Sequence, residues 1–195
     1  KRERGFYRLP VPDEGDLYFD MEGYPLEKGG LEYLFGVSYR KSGELLFKPF
    51  WGHDRQGEKK AFENFIDFVS ERLILHPNLH IYHYGDYERR ALQTLMQTHG
   101  VREKEFDKIL REERLVDFFT IVRESIMVSE PRYSIKNLET FYMKDERKST
   151  VKDAGTSIVF YELWRRDKNQ KLLDDIQSYN KDDCESISEN IERKD

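Results

Sequence analysis

Cysteine is nearly absent. Cys184 is the only one among 195 residues, which excludes an intrachain disulfide and leaves no ligand set for a cysteine-built zinc site. Long apolar runs are missing as well. None approaches the roughly 18 residues that a membrane span needs, and no signal peptide opens the chain. A reducing cytoplasm is the expected setting. The chain begins Lys1-Arg2-Glu3-Arg4-Gly5 without an initiator methionine, as expected for a domain cut from a longer protein or for a trimmed product. Nor does one sign of charge dominate. Lys and Arg number 33 against 38 Asp and Glu, a net charge of -5, which does not suit a protein that simply coats nucleic acid. A cluster of ligand carboxylates would itself add to such a negative balance, and bound cations would offset it.

The sequence is rich in aromatic residues and in mixed charge. Thirteen Phe and twelve Tyr supply bulky core pieces although only 37% of residues are hydrophobic. Opposite charges are interleaved, which indicates a solvated globular surface. No repeat, low-complexity segment or linker interrupts the chain, so residues 1–195 are read as one domain.

Residues 1–15 read as a lead-in. Asp16 to Glu22 is a short apolar strand interrupted by acids, stopped by Gly23 and Pro25. Strands over Glu32–Arg40 and Glu44–Trp51 follow, joined by a Lys41-Ser42-Gly43 turn, giving an antiparallel meander. The period then changes: Ala61, Phe62, Phe65, Ile66, Val69 and Leu73 recur at helical spacing within Glu58–Leu75. Leu79–Tyr84 reads as a buried strand, with a helix over Tyr87–Thr98 and a polar helix over 103–113. Leu115–Phe119 is a short strand running into another helix. A helix from Ser134 to Tyr142, with Ser134 as N-cap, and a long one over Leu172–Ile191 complete the pattern. A meander followed by alternating helices and strands predicts an α/β fold: a mixed sheet, antiparallel then parallel, covered by helices.

Three stretches carry candidate chemistry. In Asp20-Met21-Glu22, side chains alternate across the strand, so both carboxylates share one face while Phe19 and Met21 point the other way. Hard divalent cations give such a pair a purpose, because Mg²⁺ prefers oxygen ligands; acids on the wet face of an edge strand are the ordinary alternative. Tyr84-Gly85-Asp86-Tyr87-Glu88 follows a buried strand and opens a helix, a position where α/β proteins commonly bind ligands. Helix capping by Asp86 and a favourable charge at Glu88 explain it equally well when taken alone. Tyr179 and Asp183 stand four apart on one helix face. That carboxylate can bind a cation while the phenol donates or accepts a hydrogen bond. The alternative is an exposed acid beside a packed tyrosine.

Taken in order, the three motifs resemble those of the DEDD exonuclease superfamily, in the subclass with tyrosine in the last motif. The likeness is to YprB-type ribonuclease H-like domains, which occur in proteins with RecB-like nuclease or helicase modules. Leu115-Val116-Asp117, the stretch from Tyr133 to Glu139, and Tyr179-Asn180 with Asp183-Cys184 extend it over residues 16–192. The resemblance implies a ribonuclease H-like five-stranded sheet and a 3′-to-5′ exonuclease acting on a single-stranded 3′ end of DNA or RNA. It implies two Mg²⁺ or Mn²⁺ ions held by Asp20, Glu22, Glu88 and Asp183, with Tyr179 orienting the attacking water. Asp20 and Asp183 would share one ion, and Asp20 with Glu22 and Glu88 would hold the other. The second motif departs from the pattern Asn, small residue, any residue, aromatic, Asp. Here Tyr84 stands for Asn and Glu88 for Asp, with Asp86 as the alternative ligand. An accessory nucleic-acid-binding module without catalysis, a structure-specific endonuclease and a purely structural domain are the competing readings.

Other residues have plainer explanations. His80 and His83 read as satisfied core or cleft histidines, with metal ligation as the alternative, and Asp117 as a helix cap, with an active-site role as the alternative. Arg89-Arg90 and the basic stretch Arg165, Arg166, Lys168 and Lys171 are either phosphate contacts or a solvated face.

Overall fold

The computed structural model describes residues 4–127, 133–139 and 150–192. Strand β1 (Leu17–Gly23) is central. It pairs antiparallel with β2 (Glu32–Lys41), which pairs antiparallel with β3 (Glu44–Trp51). On its other side β1 runs parallel to β4 (Ile81–His83), and β4 parallel to β5 (Leu115–Asp117), giving the sheet order β3-β2-β1-β4-β5. The expected mixed sheet, antiparallel then parallel, is present. Ser42 and Gly43 form the β2–β3 turn with φ of 54° and 83°, the left-handed pair that matches strand twist in a two-residue hairpin.

Alternation along β1 divides the core. Leu17, Phe19 and Met21 pack with Phe35 and Val37 of β2 against Phe62, Phe65, Ile66 and Val69 of helix α1 (Arg55–Leu75). Phe19 stacks on Phe65 with ring centroids 4.4 Å apart. Helices α2 (Tyr87–His99) and α3 (Glu103–Arg111) close this layer through Leu92, Leu95, Phe106 and Ile109. Each fully buried side chain of this size contributes about 1.5–3 kcal/mol, so the odd-numbered residues hold β1 in register. Its even-numbered residues, Asp20 and Glu22 among them, are thereby directed to the opposite face.

That face is covered by α4 (Phe118–Ser125), α5 (Ile135–Glu139), α6 (Ala154–Asp167) and α7 (Gln170–Glu192). Tyr18 and Tyr82 pack there with Phe118, Ile121, Leu138 and Ile187. Toward the other edge Tyr33, Leu34, Tyr161, Ile176 and Tyr179 form a third cluster. Tyr33 and Tyr161 stack at 3.7 Å between centroids.

The elements differ most from expectation at three places, and elsewhere by one or two residues. The Leu79–Tyr84 strand shortens to Ile81–His83, because His80 N donates to the Asp16 carboxylate rather than to a neighbouring strand. Helix α1 starts three residues early, at Arg55, where the Asp54 side chain accepts from Gly57 N at 2.7 Å. Helix α6 was not expected at all; Asp153 caps it by accepting from Thr156 N at 2.7 Å. Ser134 Oγ accepts from Asn137 N at 3.3 Å, in keeping with a capping role. Of the helix expected to run from Ser134 to Tyr142, the part beyond Glu139 lies outside the described residues.

Candidate active site

Strand β1 and helix α7 bring three of the expected acids together. Asp20, Glu22 and Asp183 each offer an oxygen within 4.8 Å of the other two. Glu22 and Asp183 are buried and Asp20 is half-buried. Helix α7 can approach the strands this closely because Gly36, the β2 partner of Asp20, has no side chain under it. From α7, Asn180 Nδ2 donates to Asp20 Oδ2 at 2.7 Å, and Cys184 Sγ donates to the Gly36 carbonyl at 3.3 Å. From α6, Ser157 Oγ donates to Glu22 Oε2 at 2.7 Å, with Tyr33 OH 2.6 Å behind it. Tyr179 OH accepts from Lys136 Nζ at 2.6 Å.

The cluster is electrostatically unfavourable by itself. Burial raises the Asp20 carboxyl well above its usual range, and Asp183, Glu22 and Glu88 push it further, against the hydrogen bond from Asn180. Burial also raises Glu22, to about 8; Ser157 and Lys136 oppose the rise and Asp183 adds to it. A divalent cation can relieve both groups by taking the place of their protons. The consequence for stability has a definite sign. Glu22 keeps its proton up to about pH 8 when folded but releases it near 4.5 when unfolded. The folded state therefore binds more protons across that window, and stability is lost as pH rises through it. In EDTA we expect the melting temperature to fall by several degrees between about pH 5 and pH 8. Mg²⁺ or Mn²⁺ should restore more at pH 8 than at pH 6, as scanning calorimetry would show. A melting temperature flat across this range in EDTA would refute the account.

The second-motif acids separate. Asp86 is exposed and pairs with Arg90 at 2.9 Å. At the helix N-cap position, its side chain makes no capping bond. Glu88 is buried, 3.6 Å from His83 Nδ1, and its Oε2 has no hydrogen-bond partner among the described residues. It stands outside the set of three, yet its charge is among those that raise Asp20.

A family model described as RNase_H superfamily matches residues 17–192. The chain belongs to the RNase_H superfamily. No curated protein and no solved structure gave a significant match. Membership brings with it nucleic-acid phosphodiester chemistry, and ribonuclease H-like nucleases use divalent metals. The donors in this RNase_H superfamily chain suit such an ion: three hard carboxylates on one face, and an orphaned buried oxygen on Glu88 nearby. No described helix is long and apolar enough to cross a membrane.

Ser157, Asn180 and Lys136 each hold a functional side chain in this RNase_H superfamily protein. Ser157 carries no pattern that marks it in the sequence, whereas Asn180 and Lys136 lie in stretches that carry the resemblance but had no role assigned to them there. The secondary candidates settle into structural roles. His83 is buried and its Nδ1 lies 2.6 Å from the Gly85 carbonyl. Asp117 caps α4 and also accepts from Gly85 N at 3.0 Å. Arg165 pairs with Glu27 at 2.8 Å, Arg166 pairs with Asp167, and Lys168 lies over the Trp164 ring. These three are engaged on the protein's own surface. Arg89 instead lines a cavity of about 580 Å³ with His83, Asp117 and Thr120.

Proposed function

We propose that the chain is a metal-dependent 3′-to-5′ exonuclease of the DEDD type, tyrosine subclass, acting on single-stranded DNA or RNA. The observation that carries the reading is the convergence of Asp20, Glu22 and Asp183 to within 4.8 Å on the α7 face of the sheet. Mg²⁺ or Mn²⁺ held there would stabilise the charge that builds on the phosphoryl oxygens during hydrolysis. Asp20, Glu22 and Asp183 are its ligands, and Glu88 supports a second ion beside Asp20. Asn180 and Ser157 hold Asp20 and Glu22 in one rotamer each, so their oxygens need no reorganisation when substrate arrives. Tyr179 orients the attacking water. In a longer protein the domain would work beside RecB-like nuclease or helicase modules, the setting of the YprB-type domains it resembles.

The position of Glu88 outside the three-acid set favours a second reading, a nucleic-acid-binding module with weak or lost catalysis. The two separate in one experiment. Single-stranded DNA and RNA labelled at the 5′ end are incubated with the chain in Mn²⁺, Mg²⁺ or EDTA, beside a circular single strand. We expect stepwise shortening from the 3′ end that requires the ion and spares the circle. Cutting of the circle would make the enzyme an endonuclease. Retention of oligonucleotide without cutting under every condition would establish the binding module instead.

A further inference from the structure

We propose that Lys136 is a positioning residue of this site, which fixes the Tyr179 hydroxyl so that it donates its proton into the site instead of accepting one. The inference rests on the nuclease reading above. Lys136 is carried by α5, which Ile135 and Leu138 anchor in the core beside Ile187. Its Nζ lies 2.6 Å from Tyr179 OH and 4.3 Å from the centre of the same ring. The ammonium also donates to the Lys152 carbonyl at 2.6 Å, next to the α6 cap Asp153, so it is held from two sides.

The chemistry of the donor sets the direction. A lysine ammonium has three donors and no acceptor, so in this contact the phenol oxygen must accept. A phenol carries a single proton, which is then available only to some other acceptor. In a phosphodiesterase site the substrate complex brings two such acceptors, the lone pair of the attacking water and the phosphoryl oxygens. Tyr179 therefore holds the water, or the phosphoryl group, by donating to it. Removal of the water's proton falls to another group. Lys136 also places a positive charge close enough to Glu22 to oppose the rise in its proton affinity. A strut joining α5 to the Lys152 carbonyl would be a merely structural role, and the test has to tell the two apart.

The kinetic test compares Lys136→Met, Tyr179→Phe and the double variant of the active chain, with Lys136→Arg as the conservative change. We expect Lys136→Met to lower kcat about ten-fold or more while KM stays within roughly two-fold, the loss anticipated for a charge-assisted hydrogen bond. Lys136→Arg should recover most of it. In the Tyr179→Phe background Lys136→Met should cost less than about two-fold further, since its target is gone. Equal losses in both backgrounds would overturn the proposal. A second readout does not use activity: 3-fluorotyrosine placed at position 179 should change its ¹⁹F resonance on Lys136→Met and not on Lys168→Met. An unmoved resonance overturns the proposal whether or not the chain cuts. A moved resonance in a chain that cuts nothing refutes the nuclease reading, and the catalytic role of Lys136 with it.

Discussion

Asp20→Asn is expected to slow cleavage by at least about 10³-fold while raising the melting temperature of the metal-free protein. The two effects have one cause. Asp20 has carboxylate neighbours from three elements, Glu22 on its own strand, Asp183 on α7 and Glu88 on α2, and all three raise its proton affinity after burial has already done so. Without a cation, this arrangement stores repulsion that folding has to overcome. Asparagine keeps the size of the side chain and an oxygen to accept the 2.7 Å hydrogen bond from Asn180, but brings no charge. The metal-free fold should therefore gain stability, a few degrees in a chain of this length. On the proposed reading the same change removes the ligand shared by the two ions, and losing such preorganised charge typically costs 10²–10³-fold per interaction or more. Added Mg²⁺ or Mn²⁺ stabilises wild type by binding only the folded form, and this gain should shrink sharply in the variant. Differential scanning fluorimetry in EDTA and in Mn²⁺, run beside the labelled-oligonucleotide assay, measures all three quantities. Wild-type cleavage by Asp20→Asn would remove Asp20 from the site. Lower stability in EDTA would mean that the carboxylate is held by compensating contacts and not strained.

How far the sequence revealed this arrangement depended on the range of the interaction. Strand alternation placed Asp20 and Glu22 on one face because the spacing of two is a local property of any β-strand. Helical spacing likewise placed Tyr179 above Asp183. The meander was legible for the same reason, since β1, β2 and β3 follow one another through short connections. Helix α6 was not. Its run Ile158-Val159-Phe160-Tyr161 shows no helical stripe, and of these four only Tyr161 is buried. Packing against α7, together with the stack of Tyr161 on Tyr33, holds it in place. Without α6 there was no means of finding Ser157, which reaches Glu22 across 135 residues of chain. Asn180 was visible within the third motif but its partner, Asp20, lies 160 residues away. Glu88 and Asp86 were both open as ligands in the sequence because each sits near the start of α2. Burial separates them, and burial is set by tertiary packing, which places Glu88 beside His83 of β4, and not by the motif.

Gly36→Ala should disable the proposed activity from a position that has no side chain in the three-acid cluster. An added Cβ at residue 36 would lie 1.6 Å from Asn180 Oδ1 and 3.0 Å from the Phe47 ring. The first distance is far inside contact, and Asn180 is a short, fully buried side chain, so it cannot stay where it is. Two relaxations remain. Asn180 turns away and gives up its bond to Asp20, or α7 lifts from the sheet and carries Asp183 and Tyr179 with it. Overpacking of this kind costs about 1–3 kcal/mol, several degrees of melting temperature for this chain length. A displacement of about 1 Å at the reacting groups can cost 10²-fold, so activity should fall by roughly 10–100-fold, well beyond what the lost stability explains at a temperature where the variant is folded. Adding Asn180→Ala to Gly36→Ala distinguishes the two relaxations. The truncation clears the clash and should return much of the stability in either case. Asn180→Ala alone is the reference, because it lacks the same donor to Asp20. If Asn180 had turned away, Gly36→Ala, Asn180→Ala and the double variant all share one low activity. If α7 had lifted, Gly36→Ala is slower than Asn180→Ala, and the double variant recovers to the Asn180→Ala level as the melting temperature returns. A Gly36→Ala protein with wild-type stability and wild-type rate would show that α7 does not rest on β2 at this point, and the close approach that brings Asp183 to Asp20 would have to be abandoned.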